Sequence, residues 1–230
     1  NGYSTASYYR PTFLEDFDQD EIDTTIWKVY DQKETTARDI VDENGNIIYD
    51  GLDKDGAVVE AEGAGHNWIR ARSAKDTYLE NGSVVFNGRY SKEYEIFYGG
   101  MLRTHGYMEF LYGYVESSCI TQHGASLWSA VWMTPNGQTT GLFRPEIDIN
   151  ESFGNARYSA FNMHTWPTTP GKNLGKEHYS LDRGGFEAKK ADAGAGKTYN
   201  DGFHTFGCLW TPEGAKYTVD GAVICQHLLA

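Results

Sequence analysis

The chain has 230 residues, enough for one large all-β domain or two small ones with a real core. Its 20 basic and 32 acidic residues give a net charge of −12, which argues against nucleic acid or an anionic membrane as partner and favours a neutral ligand. Aromatics make up 14%, with 16 Tyr and 6 Trp, beside 26 Gly; this suits an antiparallel β protein with many turns, and also carbohydrate, whose C–H faces pack on aromatic rings.

Phe13, Phe17 and Trp27 stand among acids in residues 1–30, which read as an N-terminal edge segment whose aromatics cap the core. A Gly/Asp/Asn-rich region follows from Asp42 to Gly65. Asn44-Gly45 and Asp55-Gly56 are hairpin signals there, because both central positions of a type I′ turn want φ > 0. Asp42, Asn44, Asn46 and Asp53 imitate a calcium loop, but the glycine such a loop needs at its sixth position is Ile47, so a structural calcium is possible but not indicated; no cofactor is expected to be required. Asn81-Gly82 predicts a further hairpin between Tyr78-Leu79 and Val84-Val85-Phe86. Aromatics then alternate with polar or small residues from Tyr90 to Val115.

Trp128-Ser129-Ala130-Val131-Trp132 puts two tryptophans four residues apart, hence on one strand face. They read either as core or as a platform for a sugar. Asn136-Gly137 and Pro145 bracket the next loop. A strand is expected over Tyr158 to His164, followed by Trp166-Pro167, a Gly/Lys-rich loop and a polar, linker-like piece from Ala188 to Gly202. Phe203 to Trp210 alternates again, and Asp220-Gly221 turns a hairpin of Tyr217-Thr218-Val219 and Ala222-Val223-Ile224. Many short strands with frequent turns, and no helix-period stretch or internal repeat, predict a β-sandwich.

Cys119, Cys208 and Cys225 allow at most one disulfide with a thiol left over, or three buried thiols. No spacing resembles a metal-ligand pair, and no apolar run approaches the ~18 residues of a membrane span. The chain opens at Asn1 without an initiator Met, which suits a processed or trimmed chain.

Pro145-Glu146-Ile147-Asp148-Ile149-Asn150-Glu151 carries the most chemistry. Strand side chains alternate between faces, so Glu146 and Asp148 share one face and Ile147 and Ile149 the other. Glu151 falls out of phase, and a β-bulge adding one residue would return it to the acidic face. The same residues would also make an ordinary solvated acidic face. Like charges packed this closely are destabilising unless something uses them. Two carboxyls about 5–5.5 Å apart across a sugar are what a retaining glycosidase needs.

With its bulged E-x-D-x-x-E at Glu146, Asp148 and Glu151, the sequence resembles glycoside hydrolase family 16. The likeness extends through Leu102-Arg103-Thr104, Tyr112-Gly113-Tyr114-Val115-Glu116, Trp128-x-Ala130-x-Trp132, Phe203-His204-x-Phe206-x-x-x-Trp210 and Val219-Asp220-Gly221, which stand in the family's order. It implies an all-β jelly-roll sandwich of two antiparallel sheets with a concave substrate groove. It also implies Glu146 as nucleophile, Asp148 as helper and Glu151 as acid/base. Trp128 and Trp132 would stack sugars, with His164 and Trp166 as further groove contacts; a satisfied structural histidine is the other reading of His164. Ser118 stands where the family often has a basic residue, and Thr121-Gln122-His123-Gly124 departs from the family's usual loop. Family members continue beyond the Val219-Asp220-Gly221 hairpin, so residues 1–230 read as a single domain lacking its C-terminal strands.

The activity this implies is retaining endo-hydrolysis of β-1,3- or mixed β-1,3/1,4-glucan, laminarinase-like, by double displacement. A second reading is an endo-β-1,4-galactosidase on agar-like, porphyran-like or mucin-type chains. A third is a carbohydrate-binding protein without hydrolysis, for which two retained acids would be superfluous. A transglycosylase uses the same covalent intermediate. The expected partner is a polysaccharide, with no nucleic acid or membrane. A monomer is expected, and it is expected to work extracellularly or at the cell surface, since polymers do not enter cells.

Overall fold

The computed structural model describes residues 11–31, 60–62, 68–92, 96–104, 106–124, 127–135, 143–167, 179–180, 189–194 and 196–228. The candidate calcium loop, the Asn44-Gly45, Asp55-Gly56 and Asn136-Gly137 turns and most of the Gly/Lys-rich loop lie outside these residues. The chain divides into two compact units, Thr12–Glu109 and Asn1–Pro11 with Phe110–Ala230. Among the described residues there is no α-helix, only one 3-10 turn at Ala74–Asp76.

In the Thr12–Glu109 unit, β1 (Lys28–Val29) pairs with β8 (Leu102–Arg103). Strands β2 (Glu60–Glu62), β3 (Trp68–Arg72), β6 (Gly88–Ser91) and β7 (Ile96–Gly99) form a sheet in the order β2-β3-β7-β6. Between them, β4 (Thr77–Leu79) and β5 (Val84–Phe86) make the hairpin predicted at Asn81-Gly82. Asn81 and Gly82 have φ of 53° and 69°, as a type I′ turn demands. Near the start of this unit, Trp27 lies 6.2 Å from Phe13 and 5.7 Å from Phe17, and its indole N–H donates to Glu15 Oε2 at 3.0 Å. Buried Asp76 is held by both Arg89 Nε, at 2.9 Å from Oδ2, and Asn87 Nδ2, at 3.0 Å from Oδ1. This satisfies a charge that would otherwise be destabilising in the interior.

The second unit carries the acidic stretch. Strands β9 (Gly113–Cys119), β10 (Ser129–Met133), β11 (Phe143–Ser152), β12 (Tyr158–Pro167), β13 (Tyr179–Ser180) and β14 (Lys189–Asp192) are followed by β15 (His204–Thr211), β16 (Gly214–Val219) and β17 (Ala222–Leu228). One sheet runs β10-β11-β12-β13, with β14 also pairing to β12, and the other runs β17-β16-β15-β9. All the pairings in these two sheets are antiparallel. Their apolar faces meet: Ile147, Ile149 and Phe161 from one pack with Phe206, Cys208, Ala215, Tyr217 and Val219 from the other, joined by Tyr199. Tyr217 crosses this core to donate its hydroxyl to the Asn162 carbonyl at 2.7 Å.

The piece from Ala188 to Gly202 departs from the linker expected of it, because Lys189–Asp192 pairs with Tyr158–Phe161 as β14. The strand expected over Tyr158 to His164 continues to Pro167. Asp220 and Gly221, at φ 49° and 77°, turn the predicted β16–β17 hairpin. All three cysteines are free thiols, and burial pushes the Cys208 thiol up to about 12, leaving it inert.

Candidate active site

The register of β11 shows how its carboxylates come together. Against β12, Asp148 pairs with Asn162 and Glu151 with Ala160, so three steps on β11 match two on its partner. Against β10, Asp148 pairs with Trp132 and Glu151 with Ala130, the same mismatch. The extra residue is a β-bulge at Ile149-Asn150, where alternation had required one. Ile147 and Ile149 enter the core. Asn150 is also buried, accepting from Ser159 Oγ at 2.6 Å and donating to Cys119 Sγ at 3.6 Å. This leaves Glu146, Asp148 and Glu151 to the opposite face, with Asp148 only 3% and Glu151 7% exposed.

The neighbouring strands furnish that face. Trp128 and Trp132 are 44% and 39% exposed, whereas Val131 and Met133 pack on the core. Both indoles therefore lie on the side of Ala130, the residue opposite Glu151, and outside the core. Trp128 Nε1 donates to Glu151 Oε1 at 3.1 Å. On the other flank, His164 stands directly across from Glu146 in register, and its Nε2 lies 2.9 Å from Asp148 Oδ2. This is ion-pair distance, although the N–H direction departs from hydrogen-bond geometry. Trp166 pairs with Arg144 in the register, and its side chain lies outside the described residues.

The electrostatics separate the groups. Burial, followed by the negative charge of Asp148, pushes the Glu151 carboxyl up to about 8. The His164 charge and the Trp128 hydrogen bond oppose that rise without cancelling it. His164 itself is subject to burial, which lowers its pKa, but Asp148, Glu146 and Glu151 together raise it above the ordinary imidazole value. The face thus holds in Glu151 a carboxyl whose raised pKa favours the protonated form at neutral pH. Such a proton donor is what acid-assisted displacement at a sugar requires.

Two neighbours were not singled out by the sequence. Phe153 stacks at 4.9 Å on Trp128 and is 54% exposed. Two residues beyond Glu151, it resumes alternation on the acidic face, a signal the strand pattern did carry. Asn162 lies opposite Asp148, and nothing local in its sequence marks it.

The family model for "Glycosyl hydrolases family 16" matches residues 68–228, and the chain belongs to that family. It is similar to a beta-1,3-glucan-binding protein of Penaeus monodon, with 32% identity over 130 residues covering 52% of this chain and 32% of that protein. It is similar as well to the endo-1,3-1,4-beta-glycanase ExsH of Rhizobium meliloti (strain 1021), with 30% identity over 127 residues covering 55% of this chain and 23% of that protein. The chain thus spans about a third or less of the length of these two relatives. In structure it matches the laminarinase catalytic domain from Thermotoga maritima MSB8 with a TM-score of 0.62 and 20% identity, covering 93% of this chain and 75% of that one. The endo-beta-1,3-glucanase from Pyrococcus furiosus gives 0.62 and 19%, covering 93% and 72%. The fold is accordingly the all-β jelly-roll sandwich that the sequence predicts. No helix among the described residues is long and apolar enough to cross a membrane.

Proposed function

We propose that the chain is a retaining endo-glycosidase acting on β-1,3- or mixed β-1,3/1,4-glucan. The observation that carries this is the bulge that turns Glu146, Asp148 and Glu151 to one face, with Glu151 holding its proton up to about pH 8. In the first step Glu146 attacks the anomeric carbon, and the bond from that carbon to the bridging oxygen breaks. Glu151 protonates the departing oxygen, and a glycosyl ester forms on Glu146. In the second step Glu151, now ionised, takes a proton from water, whose oxygen displaces Glu146 and regenerates both groups. Asp148, between the two, orients Glu146, and His164 at 2.9 Å helps fix its charge.

Trp128 and Trp132, exposed beside these carboxyls, offer flat apolar faces to the sugar rings. Glucan is favoured over galactan by the resemblance to a 1,3-1,4-glycanase and to a 1,3-glucan-binding protein. The binding-protein relative also supports a second reading, recognition without turnover, against which the assembled carboxyl set speaks. A polymer substrate places the protein's work outside the cell.

The test is reducing-end release from laminarin, mixed-linkage glucan, agarose, porphyran and mucin glycans, with Glu146→Gln alongside. Oligosaccharides from the glucans, abolished in a folded Glu146→Gln, are expected. Release from a galactan alone would move the substrate class while keeping the mechanism, and full activity in Glu146→Gln would remove the proposed nucleophile.

A further inference from the structure

On the acidic face a carboxylate oxygen and a ring nitrogen confront each other. Asp148 Oδ2 is buried, accepts no hydrogen bond, and lies 2.9 Å from His164 Nε2. A proton on His164 Nε2 makes the two an ion pair, and a cation bound between the two atoms would take that proton's place; with neither, the buried carboxylate oxygen would be destabilising. Glu146 faces His164 across the β11–β12 pair. One donor atom from each of Glu146, Asp148 and His164 lies within 4.8 Å of the others. Glu146 is only half-buried, which gives an ion a way in from solvent.

Two carboxylate oxygens and one imidazole nitrogen form a set that Zn2+ accepts, at about 2.0–2.2 Å per bond, with a fourth position left for water. We infer that Glu146, Asp148 and His164 form a binding site for Zn2+, and that the ion competes with glycoside hydrolysis by occupying the carboxylates the reaction needs. The inhibitory half rests on the function proposed above; the binding half does not. Sequence spacing did not show the site, because its histidine comes from the adjacent strand and meets Glu146 only through the β11–β12 register.

The experiment titrates zinc chloride into the intact chain by calorimetry and follows thermal unfolding, with no substrate present. Wild type, Asp148→Asn, His164→Gln and Glu146→Gln are compared, each checked for folding by circular dichroism. One site per chain and a rise in Tm on saturation are expected in the wild type. Affinity should drop at least about 100-fold in every folded variant, the upper end for losing even a supporting residue of a metal site. No heat and no Tm change in the wild type would overturn the proposal, as would binding unaltered in the folded variants. Zinc binding as described, in a protein that cleaves no glycan without zinc, would sustain the site and refute the glycosidase reading.

Discussion

A group that is to donate a proton near neutrality has first to be kept from losing it, and Glu151, the proposed donor, is kept by its surroundings. Burial and the charge of Asp148 hold it protonated, while the Trp128 indole N–H, which favours the ionised form, restrains the rise. The kcat/KM profile on a glucan should therefore have an alkaline limb near 8. Trp128→Phe keeps an aromatic face but removes the donor, so the limb should move to higher pH. A limb in the same place in both proteins would separate it from Glu151. Glu151→Gln should reduce turnover by ~10²–10⁴, the range for loss of a general acid, and a smaller loss in kcat would speak against that role. Asp148 contributes differently: it is buried at the junction of Glu146, His164 and Glu151, where its charge acts on the others.

At the scale of the strand, the bulge gathers the three carboxyls of a six-residue motif on one face, and it makes an unusual deletion informative. Between Asp148 and Glu151, β11 has one residue more than either neighbour. Removing Asn150 alone would restore simple alternation and leave the glutamate opposite Ala160, on the same face. Removing Ile149 and Asn150 together would set it next to Asp148 and turn it into the core. The single deletion should retain measurable glucanase activity. It should also destabilise the fold by about 1–3 kcal/mol, because buried Ser159 loses its acceptor. The double deletion should have no activity, and an active double deletion would show that face assignment does not matter. The bulge could be read from sequence because Ile147 and Ile149 set a phase that Glu151 breaks. What alternation cannot convey is pairing between strands: His164 meeting Asp148, Asn150 tying β11 to Ser159, and β14 forming from the polar run Lys189–Asp192. An edge strand of that kind satisfies backbone groups without needing an apolar face, so its side chains leave no pattern to find.

For the whole molecule, the residue that would serve chemistry also weakens folding. Glu151 has a folded pKa of about 8 against an ordinary 4.5, so the native state binds more protons between those values. Its contribution to stability is greatest below 4.5, declines as pH rises, and is lost by about 8. Glu151→Gln, which cannot ionise, should flatten the fall of Tm across that window, and thermal melts at pH 5 and 9 would show it. Tyr217→Phe removes the hydroxyl that joins the two sheets and should lower stability by about 1 kcal/mol with the acidic face unchanged, measurable by urea unfolding. The order of the strands has one more effect. The β10–β11, β15–β16 and β16–β17 pairs join chain neighbours, but β9 finds its partner only when Cys119 reaches His204 and Gly113 reaches Trp210. On a ribosome, the carboxylate strand can pair long before the sheet behind it is complete. Until β15 emerges, β9 waits with its edge open, and nascent chains stalled in that interval are the ones most exposed to aggregation.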